Sequence, residues 1–424
     1  MTDADATFMK QPEQALPDIG RWIAATKREL RAEHDVRRAF EASRERTRRQ
    51  ADAVREAHAR GDGPVPEIRY VDLAADRVPS DTVAAVRARG CAIVRGTFER
   101  ATAEAWNVEL GDYLEANDYF EKARAKAGLD TYFGDLADAQ PQIFGVYWSR
   151  PQVMARQAVE MATTKRWMNR LWDSDAPAGP EFDADNDYAY ADRTRRRAPG
   201  DTTLGLSPHM DAGSFERWVD PAFRRIYAPL LAGRPDAYDP WRGAYRTQTR
   251  EYESPAVSSM FRTFQGWTAL TEQGPGDGTL ELVPIVDAIG HVLLRALQDD
   301  VPEDELPLAN PGRALGVDRH WHPELLDALV PIQTVEPGDT VWWHPDVVHA
   351  VGNEHRGDEY ANVIYIAASP RCRKNETYAR RQADSFLSGR SAPDFAAEDH
   401  EVDFEGRATP DDLTALGRAQ MALD

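Results

Sequence analysis

The sequence predicts a mainly β fold with flanking helices, in which short strands form a double-sheet jelly roll. Segments of strand length recur between residues 200 and 368, and Gly- and Pro-rich turns separate them. Segments with helical patterns lie at both ends of the chain. The regular alternation of strand and helix that builds a parallel sheet is absent, as is a glycine-rich loop that would cradle a phosphate.

Composition limits the class of protein. The 424 residues are 42% hydrophobic, which allows a large core. Lys and Arg number 51 against 71 Asp and Glu, a formal net charge of −20, so we expect neither nucleic acid nor membrane as a partner. Two cysteines, no apolar run of spanning length and no secretory leader together predict a cytoplasmic protein. The sequence carries no signal for an oligomeric state.

The first 66 residues are expected to form a helical segment and a linker. Asp18 is a suitable N-cap for one or two helices over residues 19–60, and the Gly- and Pro-rich residues 61–66 follow as the linker. The arginines between residues 44 and 49 are interpreted as a solvated helix face rather than a nucleic-acid patch, because acidic residues are interspersed along the same segment.

A core domain is expected over residues 67–372. Its first part is predicted to contain strands at 68–73, 91–94 and 142–148 and helices at 80–89, 101–117 and 150–172. Ser149 to Gln152 has the spacing of a capping box and marks the start of the last of these helices. Residues 173–197 are expected to be a polar loop, either a lid or substrate wall or a plain surface excursion.

The jelly roll itself is expected from residue 202 onward. Strands are predicted at 202–206, 257–270, 278–284, 332–335, 340–343 and 360–367, and helices at 215–231 and 286–297. Pro221 and Pro229 should interrupt the first of these helices. Residues 373–424 are expected to be a polar, largely helical extension that packs on the core.

His209 and Asp211 carry the chemistry that the sequence indicates most clearly. They close an apolar, strand-like run, and residues two apart on a strand point to the same face. An imidazole and a carboxylate side by side are two of the three ligands of the facial triad that holds non-haem Fe(II). A histidine far downstream should complete the set, and His349 follows a Pro-Gly-Asp turn and a strand. We therefore predict His209, Asp211 and His349 as metal ligands, with no other catalytic residue.

Other interpretations of the histidines remain open. His209 would be an ordinary hydrogen-bonded histidine at a turn if Asp211 were only a cap. His344-Pro345-Asp346 is a second His-x-Asp match, but its proline removes a strand donor, which disfavours it as a ligand pair. A separate zinc site built from His320, His322 and His344 would need further ligands, and none is evident in the sequence.

The order of these motifs resembles the Fe(II)- and 2-oxoglutarate-dependent dioxygenases of the phytanoyl-hydroxylase-like neighbourhood, and above all a bacterial and fungal branch of them. The resemblance is carried by residues 209–211, 261–270, 278–284 and 337–349. It implies a double-stranded β-helix, or cupin-like, fold with iron near one open end. It also implies Fe(II) and 2-oxoglutarate as cofactor and co-substrate. A small-molecule substrate would be oxidised by O2, most often hydroxylated, with release of succinate and CO2.

One departure from this family concerns the arginine that holds the far carboxylate of 2-oxoglutarate. Family members usually carry it on the strand after the distal histidine, and the segment 360–367 contains none. A buried carboxylate needs a charged partner, so Arg262 is the first choice and Arg371 the second. Arg356 lies in a turn and is expected to be solvated. An ion pair with a buried acid is the alternative role for Arg262.

Two other classes of function compete with the dioxygenase. A cupin-type metalloenzyme that does not use 2-oxoglutarate would explain the missing strand arginine. A non-catalytic small-molecule-binding barrel would need no metal, and the presence of all three ligands argues against it. Ser207, Trp267, Tyr360 and Tyr365 are further residues that we expect near the pocket.

Overall fold

The computed structural model describes residues 19–126, 142–201, 205–252 and 258–424. Its α-helices are α1 (Ile19–Glu33), α2 (Val36–Ala59), α3 (Tyr70–Ala74), α4 (Ser80–Arg89), α5 (Arg100–Ala116), α6 (Tyr119–Ala125), α7 (Arg150–Gln157), α8 (Val159–Asn169), α9 (Glu216–Val219), α10 (Pro221–Ile226), α11 (Ala228–Leu231), α12 (Ile289–Arg295), α13 (Pro323–Leu326), α14 (Arg373–Ser388) and α15 (Ala415–Gln420). Short 3-10 helices occur at Pro235–Ala237, Arg246–Gln248, His400–Val402 and Pro410–Asp412.

The strands form two large sheets and one small one. They are β1 (Glu67–Arg69), β2 (Cys91–Arg95), β3 (Ile143–Phe144), β4 (Asp183–Asp187), β5 (Thr194–Arg197), β6 (His209–Met210), β7 (Phe264–Ala269), β8 (Leu280–Val283), β9 (Leu315–Gly316), β10 (Val330–Pro331), β11 (Thr340–Trp343), β12 (Val348–Val351), β13 (Ala361–Ala368) and β14 (Pro370–Arg371). One sheet has the order β1-β2-β11-β7-β13-β5-β3, the second β10-β8-β12-β6-β9, and the third pairs β14 with β4.

Strand pairing in the two large sheets is nested. β5 pairs with β13, β6 with β12, β7 with β11 and β8 with β10, all antiparallel. The first and third of these pairs lie in the seven-stranded sheet, and the second and fourth lie in the five-stranded sheet. The chain therefore behaves as one long antiparallel hairpin that is folded across two sheets, so that residues far apart in sequence become neighbours.

The two sheets share one apolar core. Trp267, Trp343 and Val363 of the seven-stranded sheet are buried in the same cluster as Leu280 and Leu282 of the five-stranded sheet. Removing each of these large side chains from water contributes about 1.5–3 kcal/mol. This shared cluster holds the sheets face to face.

Helices cover the outer face of both sheets. On the five-stranded sheet, Val283 and Val348 pack with Ile23 and Leu30 of α1 and with Ile289 of α12. On the seven-stranded sheet, a second cluster joins strand residues with the helices α3, α4 and α8; its members include Leu73, Val86, Met161, Phe264 and Trp342. Since both faces of each sheet are apolar, each needs cover on two sides, and the result is helices outside two central sheets.

The prediction of a mainly β protein is therefore corrected to a mixed α/β one, because helical residues outnumber strand residues in the described part of the chain. The helices that the sequence predicts are confirmed in kind, including the interruption at Pro221 and Pro229. Ser149 opens α7 by accepting the N–H of Gln152, and Gly90 ends α4 in the left-handed region with φ of +68°.

Several predicted strands differ from those observed. The expected loop at 173–197 contains β4 and β5. Their sequences are mostly charged and polar, so they show no apolar alternation that would predict a strand. The expected strand at 332–335 is displaced to Val330–Pro331, which pairs with β8. The long candidate at 257–270 contains only Phe264–Ala269 as strand, and residues 202–204 and 253–257 lie outside the described residues.

Within the described ranges, none of the helices has both the length and the apolar character required to cross a bilayer.

Candidate metal centre

The antiparallel pair of strands β6 and β12 brings the predicted ligands together. His209 lies on β6, and Asp211 follows at the end of that strand. β12 pairs with β6 so that His349 stands directly opposite His209, although 140 positions separate them in the chain. Local sequence places the first two ligands, and the antiparallel register adds the third.

The three side chains meet within reach of one cation. His209 Nε2 lies 3.8 Å from Asp211 Oδ1, and His349 Nε2 lies 3.4 Å from Asp211 Oδ2. The ligand atoms all lie within 4.8 Å of one another. Cis ligands about 2.1 Å from a metal are separated by about 3 Å, so small movements would close these three atoms onto an ion. The donor set of two imidazoles and one carboxylate fits Fe(II).

Backbone carbonyls fix the orientation of both imidazole rings. His209 Nδ1 donates to the carbonyl of Ser207 at 2.6 Å, and His349 Nδ1 donates to that of Val347 at 3.3 Å. These bonds place the proton on Nδ1 and leave the Nε2 lone pairs directed toward Asp211. Metal-binding histidines in proteins are commonly held in this way.

Charge and burial also prepare the site. Burial, followed by the neighbouring His349, lowers the pKa of His209 to about 4, which keeps its ring neutral at pH 7. Burial alone would raise the pKa of Asp211, but the adjacent imidazoles of His349 and His209 and the positive charge of Arg262 hold it well below its usual range. Gln265 Nε2 also donates to Asp211 Oδ2 at 2.6 Å. The carboxylate is therefore ionised and oriented.

The second His-x-Asp match has a different role. The fully buried Asp346 carboxylate accepts from Arg217 at 2.7 Å and Arg246 at 3.1 Å. Tyr227 and Tyr238 also donate to it, at 3.1 and 3.3 Å. His344 stacks on a tryptophan ring, with Nε2 bonded to a backbone carbonyl at 3.1 Å. Asp346 is thus the anion of a buried ion-pair cluster and is not grouped with the metal ligands.

This cluster anchors the loop behind Asp211. Arg217 donates to the backbone carbonyl of Asp211, and its Nε donates to that of Gly213 at 2.7 Å. Between them, Ala212 has φ of +66°, a conformation that costs energy for a residue with a Cβ. The ion pair between Arg217 and Asp346 therefore holds the carboxylate ligand through its own backbone.

A cavity of about 130 Å³ opens from the three side chains. Gln265, Trp267 and Tyr365 of the seven-stranded sheet form part of its wall. Asp394 and Phe395, which follow α14, form another part. Of the residues expected near the pocket, Trp267 and Tyr365 line it. Ser207 and Tyr360 do not line this cavity; Ser207 contributes its carbonyl to His209, and the Tyr360 side chain is 46% exposed.

The arginines proposed for 2-oxoglutarate occupy different places. Arg262 lines the cavity and lies 5.2 Å from the Tyr190 ring. Arg371 does not line it; its guanidinium lies over Tyr188 and donates to the carbonyl of Ala419. Arg356 is exposed and pairs with a neighbouring glutamate, as expected for a solvated turn.

Arg195 and Gln265 are among the wall residues that the sequence did not indicate. Arg195 lies in the segment interpreted as a polar loop, which the structure shows to contain β5. Gln265 lies in a predicted strand, but nothing local indicates that it meets Asp211. β5 reads Thr-Arg-Arg-Arg, so no local pattern marks Arg195 as an inward-facing residue.

The described residues contain no second group of three potential metal ligands as close together as His209, Asp211 and His349. His322 contacts His291 with ring centroids 6.1 Å apart, and His320 packs on Trp321. The zinc site considered for His320, His322 and His344 is therefore not assembled.

The chain is similar to known proteins over nearly its whole length. A family model described as Gig2-like matches residues 15–423. Protein YbiU of Escherichia coli strain K12 is 40% identical over 405 residues, which cover 95% of this chain and 96% of YbiU.

Solved structures agree with this match. The "Putative Oxidoreductase" from Salmonella typhimurium LT2 is 40% identical, with a TM-score of 0.91, and the match covers 96% of this chain and 97% of that one. GIG2 from Candida albicans, at 24% identity, shares the fold with a TM-score of 0.81 over 96% of this chain and 90% of its own. The chain belongs to the Gig2-like family.

Proposed function

We propose that this protein is a non-haem Fe(II)- and 2-oxoglutarate-dependent dioxygenase that oxidises a small molecule. The observation that carries the proposal is the meeting of His209, Asp211 and His349 in the wall of one cavity, with both imidazoles oriented by backbone carbonyls. The relative from Salmonella typhimurium is named as an oxidoreductase, which agrees with a redox role.

The strand pairing supports the fold that the proposal requires. A jelly roll arises when a long antiparallel hairpin is wound across two facing sheets. The nested pairs from β5–β13 to β8–β10 follow that pattern. We infer that these eight strands form a double-stranded β-helix, with the ligands on its β6–β12 pair.

Within this proposal, each part of the site has a defined task. His209, Asp211 and His349 would hold Fe(II) and leave coordination positions free for other ligands. Iron with bound 2-oxoglutarate supplies the oxidising chemistry, which uses O2. Gln265 keeps Asp211 oriented, the aromatic wall limits water, and an arginine of the cavity binds the far carboxylate of the co-substrate. Arg262 and Arg195 both line the cavity.

The rival cupin-type enzyme without 2-oxoglutarate was favoured by the missing arginine on the strand after His349. Three arginines from other parts of the chain, Arg193, Arg195 and Arg262, line the cavity, so the missing strand arginine no longer favours that rival. A barrel that only binds small molecules would not need oriented Nε2 atoms beside an ionised carboxylate.

An anaerobic titration tests the proposal. Fe(II) followed by 2-oxoglutarate should produce visible charge-transfer absorption in the wild-type protein. Asp211→Ala should weaken Fe(II) binding by more than about 100-fold, because it removes the one anionic ligand. Asp236→Ala, which alters a carboxylate that is 91% exposed, is the matched control and should bind as the wild type does. Tight Fe(II) binding without any absorption change would instead support the rival metalloenzyme, and unchanged binding in Asp211→Ala would show that the ligand set is wrong.

A further inference from the structure

We propose that Arg195, on a strand that does not carry the arginine in the resembled family, binds the far carboxylate of 2-oxoglutarate. The inference rests on the proposed function and names the residue that would give this protein its selectivity for a dicarboxylate. It follows from three features of Arg195: its burial, its lack of an acidic partner, and its position on β5.

Among the residues that the structure describes, Arg195 is a buried cation without a counter-charge. Only 4% of the residue is exposed, and it lines the cavity that opens from the metal ligands. Its one hydrogen bond runs from Nη2 to the side-chain carbonyl of Gln273 at 3.3 Å, a neutral acceptor. Nε has no hydrogen-bond partner, and Arg195 forms no ion pair with any residue in the described ranges. Burying an unpaired guanidinium group destabilises a protein unless an anion binds to it.

The register of the seven-stranded sheet places Arg195 beside the strand that usually carries such an arginine. β13 is the strand that follows His349, and it carries no arginine. On β13, Val363 pairs directly with Arg195 of β5. The charge missing from β13 is thus present on its neighbour β5, and it lines the cavity that opens from the proposed metal ligands.

The same register gives the distance of Arg195 from the metal ligands. Gln265 of β7 marks the level of the metal, because it bonds to Asp211. Ala269, four residues further along β7, pairs with Val363 and so marks the level of Arg195. Four residues of strand span about 13 Å, and the long arginine side chain covers part of that length. Trp267 and Tyr365 pair at the level between. An elongated dicarboxylate with one end at the metal would meet Arg195 with the other.

The two remaining arginines of the cavity are less suited to this task. Arg193 pairs with the Asp192 carboxylate at 3.6 Å and lies 4.6 Å from the Phe395 ring. Arg262 is partly exposed, precedes β7 and therefore lies on the opposite side of the metal level from Arg195. It contacts the Tyr190 ring and lies near Asp211. We therefore place Arg262 in the part of the cavity that would bind the substrate to be oxidised.

Two 2-oxo acids that differ only at the far end measure how much the far carboxylate contributes to binding. The co-substrate 2-oxoglutarate is compared with 2-oxovalerate, in which a methyl group replaces that carboxylate. Binding of each is measured in the anaerobic Fe(II) protein by charge-transfer absorption and by calorimetry. Wild type should prefer 2-oxoglutarate by about 100-fold or more, because a buried charge pair is completed only by the dicarboxylate.

Variants then assign the preference to one arginine. Arg195→Gln should reduce the preference to less than about tenfold while leaving the affinity for 2-oxovalerate unchanged, and Arg195→Lys should restore part of it. Arg262→Gln should keep the full preference. Arg196→Gln is the matched control, because Arg196 neighbours Arg195 but bonds to the carbonyl of Asn107 and does not line the cavity. Thermal denaturation of each variant reports whether it is folded.

The outcomes separate the two proposals. The assignment to Arg195 would be overturned if Arg262→Gln lost the preference, or if a folded Arg195→Gln kept it at full strength. The dioxygenase proposal would remain in place in both cases. Binding of neither 2-oxo acid to the wild-type Fe(II) protein would overturn both.

Discussion

The carboxylate of Asp346 neutralises two buried arginines, and one of them, Arg217, holds the backbone behind the proposed ligand Asp211. The charge at position 346 therefore supports the geometry of a site that it does not enter. This explains why two identical His-x-Asp spacings in one chain perform unrelated tasks.

Asp346→Ala should lower the free energy of unfolding by about 3–5 kcal/mol, because it leaves two guanidinium groups buried without a counter-charge. Urea denaturation measures this change. The folded fraction should still bind Fe(II), since all three ligands remain. A shift of the urea midpoint no larger than that of Asp236→Ala would contradict this account of the cluster.

At the scale of single residues, the sequence indicated the three residues that the structure brings together but not the groups around them. His209 and Asp211 are two positions apart at the end of one strand, so a short-range rule of alternation was enough. Arg195 became visible only through its pairing with Val363, more than 160 positions away. Its neighbours in the sequence are charged as well, and they gave no reason to expect a buried strand.

At the scale of elements, the turn after β6 decides how the carboxylate ligand is presented. Gly213 has φ of +98°, and a Cβ added there would lie 2.9 Å from the Phe223 ring. The adjoining backbone is bonded to Arg217. A side chain at this position would push against the helix α10 and displace the turn.

Gly213→Ala should therefore weaken Fe(II) binding by about tenfold and destabilise the protein by about 1–3 kcal/mol. Gly276→Ala is the matched control, because Gly276 also has φ of +98° but no atom lies within 4 Å of its added Cβ. The two variants share the backbone cost, so their difference in calorimetric Fe(II) affinity reports the contact with Phe223. Equal affinities would show that the turn tolerates the displacement.

The elements that could be predicted are those whose pattern is local. Helix α4 and its end at Gly90 follow from sequence alone. Strands β4 and β5 do not, because Asp183–Asp187 and Thr194–Arg197 lack apolar alternation and are held by their neighbours in the sheets. Propensity was overridden there by tertiary pairing.

At the scale of the whole molecule, several histidines are enclosed by the helices and sheets. Burial is the main cause that lowers the pKa of His291 to about 4, and of His322 and His344 to about 3. The side chain of His291 faces Glu324, whose charge acts in the opposite sense, and both of its ring nitrogens lack hydrogen-bond partners. Arg44, Arg295 and His322 are the other ionisable groups around it.

Replacing His291 should therefore make the protein more resistant to acid. Below its unfolded pKa of about 6.5 the unfolded chain binds a proton that the native state excludes, so stability falls as the pH falls toward 4. Between pH 6.5 and pH 5, His291 should lower the free energy of unfolding of the wild type by about 2 kcal/mol. The variant His291→Leu should not show this decrease. Urea denaturation at the two pH values measures the difference, and the exposed His320→Leu should behave as wild type. Parallel stability curves for His291→Leu and wild type would rule out this linkage.

The three-part division of the chain at residues 66 and 372 stays a prediction, although the outer parts are closely joined to the centre. Ile23 and Leu30 of α1 belong to the same core cluster as strands β8 and β12. The Asp394 carboxylate accepts from the backbone N–H and the hydroxyl of Ser259, both at 2.7 Å.

The wall built by Asp394 and Phe395 has a consequence for biosynthesis. These residues follow His209, Asp211 and His349 in the chain, so the ribosome makes all three proposed ligands before it makes this part of the wall. This part of the wall can form only after the proposed ligands have been synthesised, and a chain that stopped before Asp394 would lack it. Under the proposed function, iron bound by such a shortened chain would lie in a chamber with one side of its wall missing.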